Sequence, residues 1–457
     1  MIQKLILCIT TVAVMAQVPA FAQQYSFTLE EAVSFAIDSN YTALNARRDI
    51  AIALKQKWET TATGLPQISG TIGYNYNIKQ PVTLIPGEIA GGDPGTFVPV
   101  TFGTQQNANA VATLNQLIFD GSYLVGLQAA KAFLDFSENA AEKTNLEVRK
   151  GVINAYGSVL LAQELIAIFE KNKDALDKNL FETRQIYDNG LTEEESVEQL
   201  EITLLDIEIQ LSNAKRSLAI AKQMFNVALG IQVESQVVFK DDLNVLTQDN
   251  ISLTLLDSSL NVEDNIDYKI AYNLTEQRSL EMKLEKSRAL PTLKAFVNYG
   301  TQANSNDFTF LNGDQRWFQS SVLGVNMNIP LFSSGMRSAA TQRRKIALEQ
   351  AETQLEETIQ NVTLELNTAK SNYQFAVEKF ENSKKNLALA ERIEGKNQIK
   401  FTEGLSTSFD LRQAQTQLYT AQQQYFEGML EVINSKANLE TVLNIPDLRV
   451  SKDSIND

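Results

Sequence analysis

Two short stretches decide the fold: Tyr187-Asp188-Asn189-Gly190-Leu191-Thr192 and Phe401-Thr402-Glu403-Gly404-Leu405-Ser406, at an offset of 214 positions. Each is an aromatic, a polar pair, a glycine, a leucine and a hydroxyl residue. At the same offset Val197, Leu200, Leu204, Ile207, Leu211, Ala214 and Leu218 fall on Leu411, Ala414, Leu418, Ala421, Tyr425, Gly428 and Val432. Steps alternating between three and four make a heptad seam in both copies. The glycine is a helix stop. The residues after it restart a helix: Thr192 with Glu193, Glu194 and Glu195 at the positive end, and Ser406 as N-cap in the second copy. Each stretch therefore reads as a tight tip joining two antiparallel helices.

Outward from the tips the chain keeps resembling itself. The copies end at Ala228-Leu229-Gly230-Ile231 and Val442-Leu443-Asn444-Ile445. Upstream, Leu65-Pro66 matches Leu290-Pro291, and Phe119-Asp120-Gly121 matches Phe332-Ser333-Ser334-Gly335. This is a two-fold tandem duplication with loops of different length. No proline lies between Pro99 and Pro291 or between Pro330 and Pro446, and both windows are rich in helix formers. The helix expected from Gly121 to Tyr187 is roughly 67 residues, about 100 Å at 1.5 Å per residue. Thr28-Leu29-Glu30-Glu31 is a capping box expected to start one helix that runs to about Thr63.

After Pro66 the period changes to two. Ile68, Gly70, Ile72, Tyr74 and Tyr76 alternate with Ser69, Thr71, Gly73, Asn75 and Asn77. Leu293, Ala295, Val297 and Tyr299 take the apolar positions in the second copy; the opposite face, Lys294, Phe296 and Asn298, is less clean. The returning strands carry Ala110, Ala112 and Leu114, and Leu323, Val325, Met327 and Ile329. Strands near ten residues suit a tilted membrane crossing, with Tyr74, Tyr76, Tyr299, Trp317 and Phe318 at one end and Phe119 and Phe332 at the other. On alternation alone, a half-buried soluble sheet fits equally well. Residues 78–106 and 302–316 read as exposed loops. Four strands do not close a barrel, so membrane strands require several chains, and a trimer giving twelve is the simplest closed answer.

Residues 1–22 read as a secretory signal peptide: Lys4, an apolar run from Leu5 to Met15, and Ala20-Phe21-Ala22 as cleavage site. No other stretch approaches the ~18 apolar residues of a membrane helix, so any membrane entry is by β-barrel. The chain of 457 residues has no histidine and one cysteine, Cys8 inside the leader. Histidine catalysis, histidine metal sites, disulfides and thiolate chemistry are thereby excluded from the mature chain. Lys plus Arg is 40 against 55 Asp plus Glu, a net charge of −15, which argues against nucleic acid as partner. No nucleotide or redox motif is present and no cofactor is expected. Carboxylate pairs such as Glu194/Glu198 sit on an exposed helix face, and an enzyme is not expected.

The ordered, duplicated landmarks resemble the TolC family of outer-membrane efflux channels. They are Phe27-Thr28-Leu29-Glu30-Glu31-Ala32 with Asn40, Leu65-Pro66, Gly190-Leu191, Leu290-Pro291, Ile329-Pro330-Leu331-Phe332 and Gly404-Leu405. The resemblance implies a mainly α chain with a transmembrane β part. It implies a homotrimer with a 12-stranded barrel in outer-membrane lipid and a hollow helical cylinder in the periplasm. The expected layout is a first repeat at 23–231, an equatorial connector at 232–262, a second repeat at 263–445 and a tail at 446–457. The implied role is the passive exit duct of a tripartite efflux or type I secretion system. A periplasmic adaptor (membrane fusion protein) and an inner-membrane pump would dock at Gly190, Leu191, Thr192, Gly404, Leu405 and Ser406. The family's acidic aperture maps to Asp410, with Gln413 where a second acid is frequent and Ser196 in the first copy. A basic latch position holds Thr192 and Ser406 instead. Glu193, Glu194, Glu195 and Glu198 read first as a solvated helix turn and second as replacement aperture charge. Ile68, Ile72, Tyr74, Leu293, Val297, Tyr299, Val325 and Met327 are the expected lipid-facing residues. The competing reading is a soluble periplasmic coiled-coil scaffold or adaptor.

Overall fold

A computed structural model describes residues 25–258 and 261–445. The expected signal peptide (1–22), the tail (446–457) and two positions of the connector lie outside the described residues. In chain order the elements are β1 (Tyr25–Phe27), α1 (Leu29–Ser39), α2 (Tyr41–Ala62), β2 (Gln67–Tyr76), β3 (Val82–Pro86), β4 (Phe97–Thr101), β5 (Gln106–Asp120), α3 (Gly121–Asp188) and α4 (Glu194–Leu229). There follow β6 (Val237–Phe239), α5 (Leu243–Asp249), α6 (Ile266–Ser287), β7 (Thr292–Ser305), β8 (Phe318–Asn328), α7 (Met336–Thr402) and α8 (Ser408–Val442). The duplication is visible in the helices: α3 and α7 have 68 and 67 residues, and α4 and α8 have 36 and 35.

Four expectations change. The single helix expected over 28–63 breaks at Asn40, whose ψ of 136° leaves the helical region. Asn40 Oδ1 accepts the N–H of Thr42 and Ala43 at 2.8 and 3.3 Å, capping α2, while its Nδ2 donates to Ala228 O at 2.8 Å. The second-copy N-cap is Thr407 rather than Ser406. The loop over 78–106 contains an antiparallel hairpin, β3 with β4. One 18-residue window within α3, with mean hydropathy 1.6, is long and apolar enough for a membrane helix. Its helix supplies Val152, Ile153, Tyr156, Val159 and Leu160 to a protein core, which accounts for that hydropathy without a bilayer.

The chain forms two compact units, and each gathers matching parts of both copies. The first takes described residues up to Ile50, Ser137–Ala271 and those from Leu355 onward; the second takes Ala51–Phe136 and Tyr272–Gln354. In the first unit β1 and β6 form a parallel pair. Its core joins α1, α3, α4, α5, α7 and α8 through Tyr156, Phe225, Tyr373, Met429 and Ile433. Tyr156, Phe225 and Phe239 meet ring to ring at 5.0–5.6 Å. One charged pair is buried there: Arg149 Nη2 on α3 lies 2.5 Å from Glu440 Oε2 on α8.

The second unit holds a four-stranded antiparallel sheet in the order β2-β5-β7-β8. Residues opposite each other in a ladder share a face. Ile68, Leu114, Val297 and Leu323 therefore form one row, and Gly70, Ala112, Tyr299 and Ser321 the next. The other face carries Ser69, Thr113, Asn298 and Val322, then Gly73, Asn109, Gln302 and Phe318. A bulge between Leu117 and Phe119 keeps the two faces in step down to Leu293 and Met327. All four strands meet helices at one end of the sheet and loops at the other. β2 and β8 each have one neighbour in this sheet.

Candidate functional site

At the tips the backbone does the turning. Gly190 and Gly404 each have φ of +73°, a conformation that costs an L side chain about 1–2 kcal/mol. Gly190 N–H donates to Tyr187 O at 2.7 Å and Leu191 N–H to Ile186 O at 3.1 Å. In the second tip Gly404 N–H donates to Phe401 O at 3.0 Å and Leu405 N–H to Lys400 O at 2.7 Å. This six-to-one closure satisfies the last helical carbonyls and turns the following leucine outward. Leu191 and Leu405 are 78% and 73% exposed, unusual for leucine beside a packed helix pair.

The helices after the tips start differently. Thr407 and Asp410 form a capping box on α8: Asp410 N–H donates to Thr407 Oγ1 at 3.2 Å, and Thr407 N–H to Asp410 Oδ2 at 3.2 Å. The hydroxyls of Thr407 and Ser406 also donate to Asp410 Oδ2, at 2.7 and 3.3 Å. These hydrogen bonds, the Thr407 hydroxyl foremost, hold the Asp410 carboxyl below the usual carboxylate range. In α4 the N-cap is Glu193, with no side-chain capping bond. There Thr192 Oγ1 donates to Ser196 Oγ at 3.3 Å. Asp410 and Ser196 thus occupy matching places in the first turns of α8 and α4, each tied to its own tip hydroxyl. Gln413 is exposed one turn further on.

Sequence reasoning missed what ties the helices together. Asn172 Nδ2 on α3 donates to Gln422 Oε1 on α8 at 2.8 Å, and both residues are buried. Asn179 on α3 and Gln398 on α7 exchange two amide hydrogen bonds of 3.0 Å. The available signal was an amide recurring inside an otherwise apolar seam, which fixes register between helices.

On the sheet, register brings all eight expected lipid-facing residues to one face. Toward the helical end and middle that face is bare, with Ile68, Ile72 and Leu323 76%, 88% and 76% exposed and Val325 and Met327 also exposed, while at the loop end Ala108 and Ala303 are buried in a cluster with Phe310. Burying such a side chain is worth about 1.5–3 kcal/mol, so water is a poor solvent for this surface. At the loop end Tyr74, Phe308, Phe310 and Trp317 form a chain of edge-to-face contacts at 5.7–6.5 Å, as at a membrane–water boundary.

The family model described as "Outer membrane efflux protein" matches residues 34–230 and 274–444, both copies of the duplication. The chain belongs to the outer membrane efflux protein family. The efflux chain is 22% identical over 410 residues to "Outer membrane protein TolC" of Vibrio cholerae, covering 89% of this chain and 87% of that relative. Among solved structures it shares the fold of CusC at a TM-score of 0.73, with 16% identity and 91% of each chain covered. It also shares the fold of the CmeC outer membrane channel of Campylobacter jejuni: TM-score 0.70, 16% identity, 91% of this chain and 85% of that one. The place of this efflux protein is the outer membrane, and the soluble-scaffold reading is set aside.

Proposed function

We propose that the efflux protein is a homotrimeric exit duct, passive in itself, in a tripartite efflux or type I secretion system. Each copy contributes four strands to a 12-stranded barrel, with the polar sheet face lining the lumen. One observation carries this reading: a sheet whose apolar face is bare over most of its length, with an open edge on each side. Lipid covers the face, and further copies pair the edges. The two repeats, 23–231 and 263–445, then supply one strand pair and one helix pair each.

The helices offer a matching seam. From Glu193 to Asn213 the N-cap and first half of α4 together carry seven acids and no base. Ile202, Leu205 and Ile209 are exposed along it at helical spacing. Near the tip of α7 stand Lys384, Lys385, Arg392, Lys396 and Lys400, with Leu389, Ile393 and Ile399 exposed. In our reading α4 of one copy packs on α7 of the next, apolar on apolar and acid on base.

A duct without an energy source opens only if something binds its open state better. The exposed leucines of the tips, with Gly190, Thr192, Gly404 and Ser406 shaping them, are the surface we assign to a periplasmic adaptor and inner-membrane pump. Asp410, Gln413 and Ser196 would ring the aperture just inside. A relative, the "Toluene efflux pump outer membrane protein TtgC" of Pseudomonas putida, is 21% identical over 324 residues, 69% of this chain and 64% of the relative. Small organic solutes are accordingly the cargo class to try first.

Native mass measurement of protein extracted from the outer-membrane fraction tests the assembly. Three chains per particle are expected, and a stable detergent-solubilised monomer would sink the reading.

A further inference from the structure

The strands of the sheet contain two charged residues, Asp120 and Lys294. Both fall on the polar face. Asp120 is engaged: its Oδ1 accepts the N–H of Ser122 and Tyr123 at 2.7 and 3.3 Å, at the positive end of α3. Two arginines of the helical end are engaged too. Arg337 Nη1 donates to Pro330 O at 3.0 Å, and Arg288 pairs with Glu285 at 3.1 Å. Lys294 is exposed, and among the described residues it has no ion-pair or hydrogen-bond partner for its ammonium.

Its surroundings favour reach into open space. Lys294 stands opposite Leu117 on β5 and Asn326 on β8. Two residues on, the Phe296 ring reaches over Gly324, where an added Cβ would come 2.4 Å from the ring. With Leu117 and Phe296 covering the wall, the aliphatic stem has apolar surface to lie on, and the ammonium is carried outward. Lys294 is the third residue of β7, so it sits at the end of the sheet that joins the helices.

We propose that Lys294 from three copies forms a basic collar inside the barrel, at its helical end, that draws anions into the barrel. This rests on the reading of the polar face as the lumen of a trimer. Rings of Lys or Arg favour anions in pores, and low-dielectric walls concentrate their field. The collar would oppose the Asp410 aperture, so the duct would meet cargo with carboxylates at the tips and ammonium groups at the barrel. Anionic solutes, among them carboxylates and sulfonates, are the class it serves.

The test is the reversal potential of the purified trimer in planar bilayers under a KCl gradient, comparing wild type with Lys294→Gln, Lys294→Glu and the loop control Lys79→Gln. Native mass first verifies that each variant is assembled. With 0.1 M salt on the dilute side, Lys294→Gln should lower the chloride-to-potassium permeability ratio about two-fold or more, since the screening length there is about 10 Å. Lys294→Glu should lower it further, and Lys79→Gln should leave it unchanged. The difference should shrink at 1 M salt, where screening acts within about 3 Å. Conducting channels with the wild-type ratio in both Lys294 variants overturn the collar alone. Absence of conductance in every protein overturns the duct and the collar with it.

Discussion

Arg149 and Glu440 form a charge pair removed from water, with side chains 1% and 8% exposed. Glu440 Oε1 is also 3.5 Å from Lys436 Nζ, which donates to Asn250 Oδ1 at 3.0 Å. Arg149 Nε and Nη1 have no partner, so the guanidinium depends on one carboxylate. Removing one member of such a pair strands the other charge. Glu440→Gln is therefore expected to destabilise by about 3–5 kcal/mol, while Arg149→Met with Glu440→Leu recovers most of the loss. Thermal unfolding in detergent, at equal protein concentration, reads both; equal midpoints for wild type and Glu440→Gln would refute the dependence. None of this was legible beforehand, because Arg149 and Glu440 are far apart in sequence and each fits a solvated helix face. Lys294 was visible as a flaw in an alternating pattern, but only register showed what shares its face.

At the scale of elements, the capping box of α8 is the most exposed point of control. Thr407→Ala removes the hydroxyl that both accepts from Asp410 N–H and donates to its carboxylate, and should cost about 1 kcal/mol. The Asp410 carboxyl is held below its usual range, so its contribution is complete above about pH 4 and is lost as pH falls through the lowered value. Protection of the first-turn amides of α8, measured as exchange corrected for its intrinsic pH dependence, should thus fall in acid in the wild type, and already be low at neutral pH in Thr407→Ala. A well-protected first turn in the variant would count against the box. The heptad steps and the glycine stops made α3, α4, α7 and α8 readable nearly to the residue, since period and stop are local properties. The break at Asn40 was not, because it depends on the Ala228 carbonyl, distant in the chain. The hairpin of β3 and β4 was hidden by Pro81, Pro86, Pro94 and Pro99, which read as loop although edge strands tolerate proline.

For the whole molecule, the proposed packing of α4 of one copy on α7 of the next makes a charge-exchange prediction. Replacing Glu194, Glu195 and Glu198 with lysine should weaken the trimer at low salt, as should replacing Lys396 and Lys400 with glutamate, and combining both sets should restore it. Native mass spectra across a salt series measure this. Additive loss in the combined variant would exclude α4 against α7 as the contact. The open edges of β2 and β8 bear on biogenesis as well. Inside hydrocarbon each unpaired backbone group costs several kcal/mol, and an edge strand leaves about half of its groups unpaired. A lone subunit therefore has no stable residence in the bilayer. For the proposed trimer, newly made chains must then be escorted across the periplasm with these ribbons shielded, and oligomerisation and insertion must occur as one coupled event, so that a shortage of escort yields aggregates rather than half-built pores.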